Sequence, residues 1–182
     1  MLETERLLLR RWKESDREPF AAMNADPRTM EFFPDVLTRE ESDELIDRIE
    51  NHFENHGFGL YAIEVKDDNR FIGFMGLHVA TFQAHFTPAV EIGWRIAASH
   101  WNKGFATEGS FEVVRYAFDH LRLDGIVSFT VPENVASRRV MEKLGMTRNP
   151  ADDFDHPRLP DGHRLRRHVL YRLLNPQLPL LK

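Results

Sequence analysis

The stretch AVEIGWRIAASHWNKGFATEGSFEVV, residues 89–114, decides the fold. Its first eight residues alternate: Val90, Ile92, Trp94 and Ile96 share one face, and Glu91, Gly93 and Arg95 share the other. A period of two predicts a strand over Ala89 to Ile96 with one side against a core. Further on, Thr107, Phe111, Val114, Phe118 and Leu121 recur at helical spacing, which predicts a helix from Thr107 to Leu121. The loop between carries small residues. Gly104 and Ala106 let main-chain N–H groups approach a ligand, and the helix start adds about half a positive charge. A strand that feeds a helix through such a loop can cradle a phosphate or pyrophosphate. An ordinary strand-to-helix turn uses similar letters, so the loop has to be read in its context.

Toward the N-terminus, Leu2 to Trp12 reads as an apolar strand, and Ser15 as the N-cap of a helix to about Met23 that Asp26-Pro27 breaks. Thr38 and Glu41 have capping-box spacing. They open a second helix with Leu45, Ile46, Ile49 and Phe53 as its stripe, closed by His56 and Gly57. Leu60–Val65 and Phe71–Val79 make a hairpin across Asp67-Asp68-Asn69, with Gly73 and Gly76 as weak points. Toward the C-terminus, Ile126–Val131 is a strand, Asn134–Leu144 a helix ended by Gly145, and Arg167–Leu173 a last strand after a polar loop. The order is β, two helices, a meander, then β-α-β-α-β, with no repeat and no linker. The expectation is a single α+β domain over residues 1–182, its core about 2–174.

Composition removes several functions. With 24 basic and 29 acidic residues the net charge is −5, a poor match to a nucleic-acid backbone, so no nucleic-acid partner is expected. There is no cysteine, which excludes disulfides, Cys-ligated metals and a thiol nucleophile. No apolar run approaches membrane-spanning length, and Glu3 and Glu5 interrupt the opening residues. A cytoplasmic protein without a membrane partner is expected.

Rival motifs fail on their letters. Gly104 to Gly109 has P-loop glycine spacing, but Ser110 follows and no lysine does. Ala106 breaks a dinucleotide fingerprint. His52 and His56 are four apart on one helix, yet Phe53 occupies the place of the zincin glutamate. The loop with Asp152, Asp153, Asp155, His156 and His163 reads better as solvated than as metal-binding, so no metal is expected. No Gly-x-Ser-x-Gly elbow exists.

Glu91-Ile92-Gly93-Trp94 followed by Trp101-Asn102-Lys103-Gly104-Phe105-Ala106-Thr107-Glu108 resembles the acyl-CoA-binding core of the GNAT N-acetyltransferases. It is most similar to the branch that includes ribosomal-protein N-terminal acetyltransferases. Asn134 to Met146 resembles the family's following Asn…Ser…Glu-Lys-Leu-Gly-Phe segment, and Glu5 to Arg10 its first strand. The resemblance implies a mixed, mostly antiparallel sheet with helices on both faces, whose fourth and fifth strands splay apart to admit acetyl-CoA. It implies pantetheine on the main chain of Trp94 and Ile96 and held by Asn134. Pyrophosphate would rest on the amides from Asn102 through Lys103, Gly104, Phe105 and Ala106 to Thr107. Two positions depart from the family: Trp101 replaces its usual polar residue, and Met141 stands where many relatives carry a tyrosine.

The chemistry can be filled from the residues present. An amine must lose a proton to attack, and a carboxylate in a partly desolvated cleft takes it. Glu91 is that candidate, against the bland reading of a solvated glutamate paired with Arg95. A thiolate of pKa about 8.5 leaves readily. Ser137 in the first helical turn is the candidate hydrogen-bond donor to it, against a plain capping serine. The expected function is transfer of an acetyl group from acetyl-CoA to a primary amine, of a protein N-terminus or a small molecule, by direct attack in a ternary complex. The alternatives are a non-catalytic acyl-CoA sensor and, more distantly, a metal-dependent hydrolase. The acidic run from Asp35 to Glu54 is either a solvated face or an attraction for cationic acceptors. Arg158, Arg164, Arg166, Arg167 and Arg172 either pair with acids or receive a nucleotide phosphate. Oligomeric state is open, a homodimer included.

Overall fold

The computed structural model describes residues 1–176, so the last residues of the expected domain, 177–182, lie outside it. In chain order the elements are β1 (Leu2–Glu3), β2 (Leu7–Arg10), α1 (Arg17–Asn24), α2 (Arg39–His56), β3 (Leu60–Val65), β4 (Arg70–Ala80) and β5 (Ala89–Ile96). There follow α3 (Phe105–Arg115), β6 (Gly125–Thr130), α4 (Val135–Lys143), β7 (Thr147–Arg148), β8 (Phe154–Asp155) and β9 (Arg167–Leu174). The strands run β1-β2-β3-β4-β5-β6-β9-β7 across one sheet, with β8 beside β9. Among the described residues every pairing is antiparallel except β5–β6, which is parallel and registered at one pair, Glu91 opposite Val127. Beyond that pair the two strands part. The expected splay is there, between the fifth and sixth strands.

The shift in count comes from the first segment. Leu2 to Trp12 does not form one strand. The Thr4 hydroxyl accepts the Leu7 N–H at 2.9 Å and turns the chain, so β1 folds back on β2 with Leu2 opposite Leu9. Ser15 is not an N-cap either. Asp16 accepts the Lys13 N–H at 2.8 Å and both ends of the Arg10 guanidinium at 2.6 and 2.9 Å. This starts a 3₁₀ turn at Glu14 and leaves Ser15 inside it.

Helices cover both faces. Phe74 and Met75 are neighbours on β4 and point to opposite sides. Phe20 and Met23 of α1 and Ile46 of α2 pack with Phe74, whereas α3 lies so close to Met75 that a Cβ on Gly109 would meet its sulfur at 2.3 Å. The α2 capping box forms as read, with Thr38 accepting the Glu41 N–H, Glu41 accepting the Thr38 N–H, and left-handed Gly57 closing the helix. The α3 stripe does not. The helix begins at Phe105 rather than Thr107, and it buries Gly109, Ser110 and Val113. Phe111 stays 51% exposed. The contact with Met75 selects the small residues because only they allow helix and sheet to touch. After Arg115 the coil widens into a π turn, Tyr116–His120.

Candidate active site

In an antiparallel pair, residues directly opposite share a face. The β4–β5 register sets His78 opposite Glu91, Gly76 opposite Gly93 and Phe74 opposite Arg95. Glu91, Gly93 and Arg95 therefore look toward α1 and α2, while Ile92 and Trp94 look toward α3. Glu91 also marks the last registered pair before β6 diverges. The candidate base stands at the vertex of the splay.

Its side chain is 12% exposed, and Oε2 lies 3.3 Å from His78 Nε2. The other oxygen points along the strand: a Cβ on Gly93 would meet nothing nearer than Oε1, at 3.7 Å. Burial pushes the Glu91 carboxyl well above the usual carboxylate range. Burial also lowers His78, to about 4, so its ring is neutral beside the carboxylate. The pairing with Arg95 does not occur. Arg95 Nη1 donates to Asn24 Oδ1 at 2.7 Å, and its guanidinium lies over the Phe33 ring at 3.9 Å. His78 escaped the sequence reading because its role depends on register across a hairpin.

The loop after β5 is shaped by the main chain. Asn102 and Gly104 take φ of 61° and 82°, and Gly104 is the N-cap of α3 with no side-chain cap. The first-turn amides of Phe105, Ala106 and Thr107 accordingly point out of the helix end, where they suit an anion. Arg6 latches this turn from the opposite end of the sequence. Its Nε donates to Glu108 Oε2 at 2.7 Å, its Nη1 to the Lys103 carbonyl at 3.1 Å, and its guanidinium lies 4.7 Å from the Phe105 ring centroid. Glu108 also accepts the Thr4 hydroxyl at 2.6 Å. Trp101 replaces a polar contact with a structural one: its indole N–H donates to the Ile96 carbonyl at 2.6 Å.

Ala97 N–H donates to Ile72 on β4 at 2.9 Å. By the alternation of a strand, the main-chain groups of Trp94 and Ile96 turn the other way, into the splay. There the Ile96 carbonyl is taken by the Trp101 indole, and the Ile96 N–H and the Trp94 groups are left facing the gap. On its far side, Asn134 accepts the Ser137 N–H and donates to Thr130 Oγ1, both at 3.1 Å. Both ends of its amide are thus engaged in seating α4, and Ser137 is half-buried in the first turn. Met141 is 1% exposed within the main core.

The competing sites dissolve into structure. His52 Nδ1 bonds the Phe58 carbonyl at 2.8 Å and Nε2 accepts the Val79 N–H at 3.0 Å. Among the described residues no three acidic or histidine side chains gather as a metal site, and no helix is long and apolar enough to cross a membrane. Arg11, Arg17, Arg39 and Arg48 bridge Glu50, Glu54, Asp43, Asp47 and Glu44 of the acidic run. In the C-terminal cluster Arg167 pairs with Asp155, Arg172 with Asp152 and Arg166 with Asp161.

Comparison with known proteins agrees with this fold. The acetyltransferase (GNAT) domain family matches residues 6–147. The uncharacterized N-acetyltransferase YnaD of Bacillus subtilis is 27% identical over 177 residues, 97% of this chain and 98% of the relative. Among solved structures, a GNAT-family acetyltransferase from Bacillus anthracis superposes with a TM-score of 0.78 at 27% identity, covering 96% of this chain and 98% of that one. Spermidine N-acetyltransferase from Vibrio cholerae, solved with CoA and spermine, shares the fold at 20% identity and a TM-score of 0.72, over 93% of this chain and 96% of that one. The chain belongs to the GNAT acetyltransferases, acyltransferases that use acetyl-CoA as co-substrate.

Proposed function

We propose that this protein transfers the acetyl group of acetyl-CoA to a primary amine by direct attack, with Glu91 as the general base. The observation that carries this is the placement of Glu91: buried, at the vertex of the splay, with one carboxylate oxygen beside His78 and the other over the open floor at Gly93. Acetyl-CoA would supply an activated thioester. The residues that would hold it are the α3 amides of Phe105, Ala106 and Thr107 with Asn102, Lys103 and Gly104 of the loop, and the strand edge of Trp94 and Ile96. Asn134 acts on the cofactor arm by seating α4.

The new bond joins the amine nitrogen to the acetyl carbon, and the carbon–sulfur bond breaks. The nitrogen's surplus proton goes to Glu91 Oε1. Its raised pKa makes this carboxylate a stronger base than an ordinary glutamate, better matched to neutral pH. Ser137 Oγ donates a hydrogen bond to the departing sulfur, whose charge the α4 N-terminus also favours. Met141 leaves no tyrosine at the family's usual place. The low pKa of a thiol makes full protonation by an acid unnecessary for departure.

The acceptor in this reading is a protein N-terminus or a small amine, and a cytoplasmic location goes with it. A non-catalytic acyl-CoA sensor would keep the loop but would have no need for a buried carboxylate in the splay. The test is steady-state kinetics with an amine and peptide panel, read as free CoA. Intersecting initial-rate lines are expected. Parallel lines, or an acetylated protein trapped without acceptor and seen by mass spectrometry, would overturn direct attack. Cofactor binding with no thioester cleavage by any amine would favour the sensor.

A further inference from the structure

Arg95 is a cation without an anion. Arg95 stands on β5 four residues beyond Glu91 and on the same face, with the two Cα atoms about 13 Å apart along the strand. The groups that hold it are all neutral: the Asn24 amide oxygen, the Phe33 ring at 3.9 Å and the Phe74 ring at 5.2 Å. Its Nε is buried with no hydrogen-bond partner. Burial pulls its pKa down to about 10, with no carboxylate acting against it. A guanidinium removed from water normally finds a counter-ion, because an unpaired buried charge is expensive. Among the described residues none is within ion-pair distance.

The same guanidinium lines a cavity of about 520 Å³ between β5 and the α1–α2 connection, walled by Met30, Phe33, Val36 and Leu37. Two acids stand at its edge, and both are committed to the main chain. Asp35 accepts the Val36 N–H at 2.9 Å, and Glu41 accepts the Thr38 N–H at 2.8 Å. Between Arg95 and Glu91 the strand presents only Gly93, over which a Cβ would find no atom but Glu91 Oε1 within 4 Å. A base, a bare floor and an unmatched guanidinium thus follow one another along a single strand face.

We infer that Arg95 receives a carboxylate of the acceptor, so that the preferred substrates are amines that also carry a carboxylate, bound extended along β5. The inference rests on the acetyltransferase reading above for the amine end and adds the anionic end. A guanidinium presents a planar fork that matches a carboxylate, and Phe33 and Asn24 keep it oriented. Five acids of α2 are already bridged by four other arginines, so these acids are engaged away from Arg95.

The test compares ω-amino acids from glycine to aminohexanoate, and short peptides, with the carboxamides of the same compounds. Binding is measured by calorimetry in the presence of CoA, and turnover by CoA release with acetyl-CoA. At least one carboxylate should bind about tenfold or more tightly than its amide. Arg95→Met should erase that preference while leaving acetyl-CoA affinity unchanged, and Arg95→Lys should restore part of it. If every amide binds as well as its acid in the wild-type protein, or the preference survives in Arg95→Met, the anion site is wrong. The wild-type comparison decides even where a variant fails to fold. A carboxylate preference in binding without acetylation of any amine would sink the transfer reading and leave the anion site standing.

Discussion

Two walls meet at the splay, and they are built differently. The loop from Trp101 to Thr107 is exposed along its first four residues and offers main-chain groups, shaped by two left-handed residues and latched by Arg6. The opposite wall, from Glu91 to Arg95 and the α1–α2 connection, offers side chains, half-buried at Glu91 and Arg95, held by partners distant in sequence such as Asn24 and Phe33. Main-chain recognition is written in small residues at fixed spacing and suits a ligand common to a whole family. Side-chain recognition is written by tertiary contacts and suits a ligand particular to one member.

If that division is right, the largest single effect belongs to the main-chain wall. Gly104→Asp forces a side chain onto a φ of 82° and sets a carboxylate at the anion site. Losing two charge-assisted hydrogen bonds at about 1.5–3 kcal/mol each predicts a loss of acetyl-CoA affinity on the order of 10³-fold. Calorimetry on the folded variant checks this, and unchanged affinity would break the comparison outright.

Next comes the side-chain wall. Glu91→Gln should leave acetyl-CoA affinity intact and lower turnover by about 10²-fold. The rate should rise with pH as the raised carboxyl ionises, and that limb should vanish in the variant. The stability effect has the opposite sign. A carboxyl with a raised folded pKa binds protons more tightly in the folded state, so it loses stability as pH climbs above the unfolded value of about 4.3. Glu91→Gln should therefore melt higher than wild type at pH 7 and lose that advantage below pH 4. A variant that is less stable at pH 7 would contradict the burial argument.

Ser137→Ala sharpens the comparison at its seam. One hydrogen bond to a developing thiolate predicts a cost of roughly 1.5–3 kcal/mol on the chemical step, with little change in either binding constant. The Asn134 cap does not involve the Ser137 hydroxyl, so α4 should stay seated. A nearly inactive Ser137→Ala beside a Glu91→Gln with near-native turnover would mean that the base lies elsewhere.

The same division explains what could be read from letters. Thr38 and Glu41, Gly57 and Gly145 act within a few residues, and each caps its helix where its spacing places it. The β5 strand ends at the residues its alternation gives. Ser15 and Phe111 mislead because distant groups outbid local preference: Arg10 draws Asp16, and Met75 draws the glycine face of α3. Glu91 was visible as a polar residue on an alternating strand. Its seclusion was not, since that depends on His78 across the hairpin. Arg95 read as a partner for Glu91 on the same strand face, and its isolation exists only once Phe33 and Asn24 arrive from other elements.

The Arg6 latch has a kinetic consequence. Because strand β2 and helix α3 already hold the loop, the incoming cofactor does not have to order it. Binding then loses only the ligand's own freedom and that of a few side chains. A chain released at Arg6 would have to settle its loop on every visit of the cofactor. If the loop holds acetyl-CoA as proposed, the residence time of the cofactor would in this sense be set partly at the far end of the sequence, by a side chain that belongs to neither wall.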